Sequence, residues 1–384
     1  MAERKGAIMP GQSRREQTYG LFDPLTIRGI TLRNRIVVSP MCQYWCQDGL
    51  ANDWHLVHLG SRAVGGAGLV MAEATAIEAR GRISPQDLGL WSDAQIEPLA
   101  RIVRFLHSQG AAAGIQLAHA GRKASTARPW EGGGRVEVNQ GGWKDVVAPS
   151  AVPFAPDYPM PSEISAQGIA EVVRAFGEAA RRARQTGYRV VEIHAAHGYL
   201  LHSFYSPLSN HRDDAYGGSF ENRTRIVREV AVSIRRHWPE KYPLFIRISA
   251  TDWTEGGWDI EQAVELARTL KPLGVDLVDC SSGGNVAGAR IPMAPGYQTR
   301  FAERIRRDAG IATGAVGMIT SAVQAEQILQ TGQADVVLLA REMLRDPYWP
   351  LHAARELGHA APWPVQYLRA APKGAPARLP AEDA

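Results

Sequence analysis

The chain has 384 residues, of which 45% are hydrophobic and 21% charged, a balance typical of a globular protein with a large core. Its formal charge of +4 is small and its basic residues are interspersed with acids, so nucleic-acid binding is not indicated. Cys42, Cys46 and Cys280 give no disulfide framework, and no apolar run reaches the ~18–20 residues of a membrane helix. We therefore expect a soluble, cytoplasmic protein.

The first twenty residues are polar and lack the apolar core of a signal peptide, which predicts a flexible leader over residues 1–20. Residues 21–31 have the pattern of a short hairpin that turns at Arg28 and Gly29. Eight strand-like apolar runs follow: Ile36–Met41, Leu69–Ala74, Gly114–Leu117, Val190–Ile193, Leu244–Ile248, Leu277–Asp279, Gly314–Gly317 and Val336–Leu339. Helical patterns lie among them at Ile96–Gln109, Ile169–Gln185, Thr224–His237, Ile260–Leu273, Phe301–Asp308 and Ser321–Gln330.

Eight strands alternating with helices predict parallel pairing and a closed (β/α)8 barrel, the TIM barrel, in one domain over residues 21–369. An open doubly wound sheet is the alternative, but no Gly-x-Gly-x-x-Gly follows the first strand. A Gly-, Pro- and Trp-rich insertion from Thr126 to Glu163 follows the third strand, and its length predicts a cap that shapes substrate access. Periodicity is lost after Arg369, which predicts a loose tail over residues 370–384.

Polar groups collect where the fourth strand ends, at His194, His197 and Tyr199. Two imidazoles three residues apart beyond a strand end can point into one pocket and donate hydrogen bonds to one oxygen. A tyrosine, whose ordinary pKa is ~10, is neutral at pH 7 and can hand over a proton. These groups suit a reaction in which an enolate develops. Surface histidines beside a core tyrosine, or a metal site with a third ligand, fit the same residues.

The segment from His194 to Arg223, HAAHGYLLHSFYSPLSNHRDDAYGGSFENR, closely resembles the central motif of the Old Yellow Enzyme family of FMN-dependent ene-reductases. The resemblance extends from about Leu21 to about Arg369 and is nearest to the thermophilic-type branch. It implies bound FMN, NADPH or NADH as the reductant, and small activated alkenes as substrates. In the implied ping-pong mechanism the nicotinamide reduces FMN, and flavin N5 then passes hydride to the β-carbon of an unsaturated carbonyl or nitro compound. Tyr199 protonates the α-carbon.

The resemblance also implies roles for single residues. Positions that would hold FMN are Ser39, Pro40, Met41, Cys42, Ala74, Gln116, Arg247, Ala340 and Arg341. Relatives usually have glycine at the position of Ala340, whose methyl group lies beside the phosphate. Cys42 would lie near the N5/O4 edge of the flavin and tune its reactivity, and Tyr44 would contact the substrate. His194 and His197 would bind the carbonyl or nitro oxygen.

The ends of the later strands fit a phosphate and a flavin ring. The seventh and eighth strands end at Gly317 and Arg341, the usual phosphate position of such barrels, and Gly283 and Gly284 follow the sixth strand. A surface salt bridge is the alternative for Arg341. Arg247 lies inside an apolar strand, where a buried charge needs a partner; the flavin N1–C2=O edge would be one.

Gln116, also in a strand, can hydrogen-bond the pyrimidine side of the flavin. The strand ends show no cluster of carboxylates, which argues against glycoside hydrolysis and a Mg²⁺ site.

Two further implications concern assembly and rival functions. Residues 365–369 resemble the segment whose arginine, here Arg369, reaches across a dimer interface into the neighbouring pocket, so a homodimer or a tetramer of dimers is expected. A dienoyl-CoA-type reductase is one alternative, but three scattered cysteines cannot hold the iron–sulfur cluster of those enzymes. A non-enzymatic flavin- or ligand-binding barrel is the other.

Overall fold

The computed structural model describes residues 19–379, and a closed barrel of eight parallel strands lies at their centre. The strands in chain order are β1 Leu25–Ile27, β2 Ile30–Leu32, β3 Ile36–Val38, β4 Leu69–Ala76, β5 Ala112–Ala118, β6 Val147–Ala148, β7 Ser162–Glu163, β8 Val190–Ala195, β9 Leu244–Ser249, β10 Leu277–Ser281, β11 Ala312–Val316, β12 Val336–Leu339, β13 Trp363–Pro364 and β14 Ala377–Arg378. Strands β3, β4, β5, β8, β9, β10, β11 and β12 pair in that order, and β12 closes on β3. The predicted (β/α)8 barrel is confirmed.

Helices cover the outside of the barrel and connect its strands. They are α1 Asp53–Val64, α2 Ile96–Ser108, α3 Ala166–Thr186, α4 Leu200–Tyr205, α5 Phe220–Arg223, α6 Arg225–His237, α7 Ile260–Leu270, α8 Thr299–Ala309, α9 Ala322–Gln330, α10 Arg341–Arg345 and α11 Trp349–Glu356. Serine or aspartate caps several N-termini; the Ser165 side chain, for example, accepts the backbone N–H of Gly168 at the start of α3. No helix within residues 19–379 is long and apolar enough to cross a membrane.

The predicted hairpin forms β1 and β2 and turns at Arg28, whose φ is 51°. Its side chains Ile30 and Leu32 are buried against the lower barrel core, together with Leu69 and Phe245. Burying one such side chain contributes about 1.5–3 kcal/mol, so the hairpin closes the amino-terminal end of the barrel stably. Function is thereby left to the carboxyl-terminal end.

Two boundaries differ from the sequence-based expectation. The first barrel strand ends at Val38 instead of Met41, because Pro40 has no N–H to continue the ladder. Within the segment expected to be a loose tail, β14 pairs with β13, and Arg378 donates to the Val64 carbonyl at the end of α1. The leader over residues 1–20 lies almost wholly outside the described residues, as do residues 380–384.

Candidate active site

Two cavities open at the carboxyl-terminal end of the barrel. One, of about 280 Å³, lies beside the ends of β11 and β12. Its lining includes Ser39, Pro40, His197, Arg247, Ser281, Gln298, Gly317, Ala340 and Arg341. The other, of about 270 Å³, lies under the insertion and is lined by Tyr44, Ile83, Lys123, Thr126, Ala127, Pro129, Gly132, Gly133, Tyr158 and Tyr199. The insertion therefore contributes walls to the second cavity, in agreement with its expected capping position.

The histidine pair lies at the end of β8. The rings of His194 and His197 are 5.1 Å apart and nearly perpendicular, and Nε2 of His194 is 3.4 Å from Nδ1 of His197. Nδ1 of His194 accepts the backbone N–H of Ala196, at 3.3 Å, so its proton is assigned to Nε2. Nε2 of His197 lies 2.7 Å from the Ser281 hydroxyl, and in the tautomer that accepts the serine proton the ring proton is on Nδ1. His194 Nε2 and His197 Nδ1 are thus adjacent ring nitrogens that can both donate to one acceptor oxygen bound beside them.

Both imidazoles are neutral near pH 7. Burial, followed by the nearby charges, holds the pKa of His194 and of His197 well below the usual value of histidine. Arg247 and Lys123 are among those charges for both rings. A negative charge that develops beside the two ring nitrogens would therefore be stabilised by neutral N–H donors and by the nearby side chains of Arg247 and Lys123.

The His197 backbone has a left-handed φ of 62°, and a close approach of two loops holds it. A Cβ on Gly198 would collide with the Gly284 carbonyl, and a Cβ on Gly284 would lie 2.7 Å from the Cα of His197. Lys123 ties the same loops together: its Nζ donates to the carbonyl of His197, at 2.7 Å, and to that of Gly284. Gly284 therefore packs against the histidine loop. The carbonyl of its neighbour, Gly283, accepts the Ser249 hydroxyl at 2.8 Å.

Tyr199 stands beside the pair with its ring 5.0 Å from that of His194. Burial, then the neighbouring Cys42 and Asp87, raises the pKa of Tyr199 well above its usual value, so its phenol keeps its proton. Lys123 was missed from the sequence. Its Nζ lies 5.7 Å from the Tyr199 ring centre, and burial, then Arg122, lowers the pKa of Lys123 to about 7.

Cys42 and Tyr44 lie on the irregular segment after β3. Cys42 is half-buried. Burial raises the pKa of its thiol, and the negative charges of Asp87 and Glu73 raise it further. Hydrogen bonds to the Tyr44 hydroxyl and to the Ala74 backbone oppose this shift. The thiol is therefore neutral. Expected site residues Cys42, Tyr44 and Ala74 are thus brought together at the ends of adjacent strands, β3 and β4.

Arg247 is buried as expected, and its charge has partners within the chain. Its guanidinium makes an ion pair with Asp279 on the adjacent strand β10 and donates to the Ser39 hydroxyl at 2.7 Å. The chain itself thus supplies partners for this charge, and the expected contact of Arg247 with the flavin edge stays a prediction. Gln116 likewise donates to Glu192, at 2.8 Å, and burial, then Asp279, raises the pKa of Glu192 to about 8.

The sequence did not predict these two carboxylates as partners of Gln116 and Arg247, because they lie on other strands, β8 and β10. One oxygen of each, Glu192 Oε2 and Asp279 Oδ1, is buried without a hydrogen-bond partner. Within residues 19–379 no group of three or more His, Cys, Asp or Glu side chains is arranged to hold a metal ion.

The remaining expected residues are distributed as follows. Gly317, whose φ is 115°, lies where a Cβ would be 2.7 Å from the Gln298 amide, so a glycine keeps this wall of the first cavity open. Met41 is partly buried, and its carbonyl accepts the Gln43 side-chain amide at 2.8 Å. Arg369 is exposed on the turn Val365–Ala370 and lies far from the histidine pair in the sequence.

The first cavity fits FMN. The Arg341 guanidinium and Gly317 lie at the ends of β12 and β11, where a phosphate dianion is commonly held, and Arg247 and Ser39 supply polar groups along the wall. His197 lines the same cavity, so a flavin held there would lie next to the oxygen-binding pair.

Comparison with known proteins agrees with this geometry. The model of the NADH:flavin oxidoreductase / NADH oxidase family matches residues 20–359. An NADPH dehydrogenase of Geobacillus sp. (strain WCH70) is 50% identical over 351 residues, which are 91% of this chain and 98% of the relative. Morphinone reductase has a similar structure, with a TM-score of 0.76, 27% identity, and coverage of 90% of this chain and 91% of that one.

The Old Yellow Enzyme homologue of Zymomonas mobilis is also similar, with a TM-score of 0.73 and 26% identity over 88% of this chain and 93% of that one. The barrel, the cavity for FMN and the extent of these matches lead to one conclusion. The chain belongs to the NADH:flavin oxidoreductase / NADH oxidase family, the Old Yellow Enzyme type, and is an NAD(P)H-dependent flavin oxidoreductase.

Proposed function

We propose that the protein is an FMN-dependent ene-reductase that reduces carbon–carbon double bonds conjugated to a carbonyl or nitro group, with NADPH or NADH as the reductant. The observation that carries the proposal is the pair of adjacent ring nitrogens of His194 and His197, next to the protonated phenol of Tyr199. Two donors and one acid beside a flavin cavity match the needs of a double bond that is reduced through an enolate.

His194 and His197 bind the substrate oxygen and stabilise the negative charge that develops on it. Donors of this kind are worth about 3–4 kcal/mol each when they are preorganised in a water-poor site. Reduced FMN, when bound, supplies the hydride that the β-carbon receives. Tyr199 donates its proton to the α-carbon on the opposite side of the double bond. Its raised pKa keeps the phenol protonated until the carbanion, a far stronger base, forms.

The other expected residues hold the two ligands. Arg341, Ala340 and Gly317 bind the FMN phosphate, and Arg247 supplies positive charge near the reduced ring. The remaining flavin contacts are assigned to Ser39, Pro40, Met41, Cys42, Ala74, Gln116, Gly283 and Gly284. Tyr44 contacts the substrate from the second cavity. Arg369, exposed near the C-terminus, completes the pocket of a neighbouring copy in a homodimer or a tetramer of dimers.

An anaerobic product assay tests the proposal. Purified protein reconstituted with FMN is given NADPH and an activated alkene such as 2-cyclohexenone, and both the consumed NADPH and the saturated ketone are quantified. We expect one saturated product per NADPH, and a yellow protein before the reaction. If the flavin-loaded protein reduces no conjugated carbonyl or nitro compound, the ene-reductase proposal fails and only the broader oxidoreductase activity remains. If the protein binds FMN but accepts electrons from neither NADPH nor NADH, the result favours a non-enzymatic flavin-binding barrel.

A further inference from the structure

A β-bulge lies in the barrel wall next to the active site. Strand β4 pairs with β5 in register up to Ala72, and the register shifts between Ala72 and Ala74, so Glu73 is the extra residue. Bulges re-aim a side chain that regular pairing would point elsewhere. Glu73 is 4% exposed, which is unusual for a carboxylate unless it has partners.

The partners of Glu73 come from two other elements. Its Oε2 accepts the backbone N–H of Gln43, at 2.8 Å, on the segment after β3. Its Oε1 lies 3.3 Å from Nε2 of His55 on helix α1. The other ring nitrogen of His55, Nδ1, lies 3.1 Å from both the backbone N and the side-chain oxygen of Asn52, so the contact with the Glu73 carboxylate is what favours a proton on Nε2. Cys46 Sγ, 3.4 Å from the same nitrogen, completes the cluster.

The segment that Glu73 contacts carries two expected site residues, Cys42 and Tyr44. Tyr44 has a φ of 51°, a left-handed conformation that costs a tyrosine free energy and persists only when neighbouring contacts impose it. The hydrogen bond from Gln43 to Glu73 is adjacent to this residue in the chain. Trp54 Nε1, which donates to the Gln43 side chain at 3.0 Å, anchors the same residue from α1.

We propose that Glu73 is a positioning residue, which fixes the Cys42–Tyr44 segment through the backbone N–H of Gln43. It thereby sets the position of the Cys42 thiol relative to the flavin and of the Tyr44 side chain relative to the substrate. The inference rests on the proposed function for its consequences in catalysis. Its geometric content, that Glu73 controls the placement of Cys42, does not depend on any ligand.

Two substitutions separate reach from charge. Glu73→Asp keeps the carboxylate but shortens the side chain by one methylene, so the acceptor no longer reaches the Gln43 N–H. Glu73→Gln removes the charge but keeps an acceptor oxygen for the Gln43 N–H at the original reach. Its amide NH₂ then faces His55, which can accept it at Nε2 in the tautomer whose Nδ1–H donates to the Asn52 side-chain oxygen. Asp335→Asn is the control, because Asp335 also accepts a backbone N–H, from Thr313 at 2.9 Å, but precedes β12 at the opposite end of the barrel.

The readouts are the rate at which iodoacetamide alkylates Cys42, followed by mass spectrometry, and the midpoint potential of FMN in the reconstituted enzyme. We expect Glu73→Asp to alkylate severalfold faster than the parent and to shift the potential, whereas Glu73→Gln and the control stay close to the parent. The reverse order, with the glutamine variant perturbed and the aspartate variant unchanged, would show that Glu73 acts by its charge and would overturn the proposal.

Parent-like alkylation in both Glu73 variants would also overturn it. If the parent binds no FMN, the proposed function fails, but the alkylation rates still decide whether Glu73 places Cys42. If Glu73→Asp does not fold, Trp54→Phe, which removes the second anchor of Gln43 at an exposed position, is expected to raise the alkylation rate in the same direction, and an unchanged rate counts against the proposal.

Discussion

Replacing His194 or His197 by alanine removes one of the two adjacent ring nitrogens that we propose bind the substrate oxygen at the end of β8. A phenolate presents a charged oxygen on a flat ring, as an enolate does, so it reports on this site without turnover. Each lost donor to a charged acceptor costs roughly 1.5–3 kcal/mol, which is about ten- to a hundredfold in dissociation constant. The upper half of this range is expected for His194, because that residue is only 4% exposed and water cannot replace the donor.

The assay is a spectral titration of the FMN-loaded parent and variants with an electron-poor phenol, following the long-wavelength charge-transfer band between phenolate and oxidised flavin. His197→Asn is the matched control, since asparagine keeps an N–H donor and tolerates the left-handed φ of 62° at this position. We expect it to retain more affinity than His197→Ala. Tyr199→Phe should bind the phenolate almost normally. Equal affinities in the parent and either alanine variant, or no charge-transfer band at all, would refute the assignment of the oxygen site.

Three further predictions concern single contacts. Cys42→Ala should keep FMN bound but shift the midpoint potential of the flavin. An unchanged potential in a spectroelectrochemical titration would show that Cys42 only packs in the core. Arg247→Ala should weaken FMN binding. It should also lower the free energy of unfolding by about 3–5 kcal/mol, because Asp279 loses its buried partner. Normal FMN occupancy in a flavin titration, together with parental stability, would contradict this prediction. Lys123 has a pKa of about 7 in the folded protein, against an ordinary value of 10.5. Between pH 7 and pH 10.5 the unfolded chain therefore binds more protons than the folded protein, and the free energy of unfolding should rise with pH. In Lys123→Met the rise should be smaller, as measured by denaturant unfolding from pH 7 to 9.

The sequence was sufficient for the barrel because its strands are predominantly apolar runs, as is typical of parallel strands covered by helices. Helix α1 was absent from the predicted elements for a physical reason. It buries His55, His58 and Arg62 beside Leu59 and Ala63, and it exposes Trp54 and Val57, so the contrast between an apolar and a polar face is weak.

The candidate site was predictable where one motif supplies several groups in fixed order, as His194, His197 and Tyr199 do. Partners contributed by other strands were not predictable. The ion pair of Arg247 with Asp279 depends on the register between β9 and β10, which no local pattern fixes. The tautomer of His197 similarly depends on Ser281, which is 84 residues away in the chain.

The role of Tyr199 as the acid tests the account most directly, by a single-turnover measurement. Enzyme reduced with one equivalent of NADPH is mixed anaerobically with an α,β-unsaturated ketone, and flavin reoxidation is followed by stopped-flow absorbance in the parent and in Tyr199→Phe. The account predicts that both proteins are reduced by NADPH at similar rates. Only the parent should then reoxidise rapidly and release the saturated ketone, because the variant lacks the proton for the α-carbon. Equal reoxidation rates in the two proteins, or a reduced parent that the ketone leaves reduced, would contradict it.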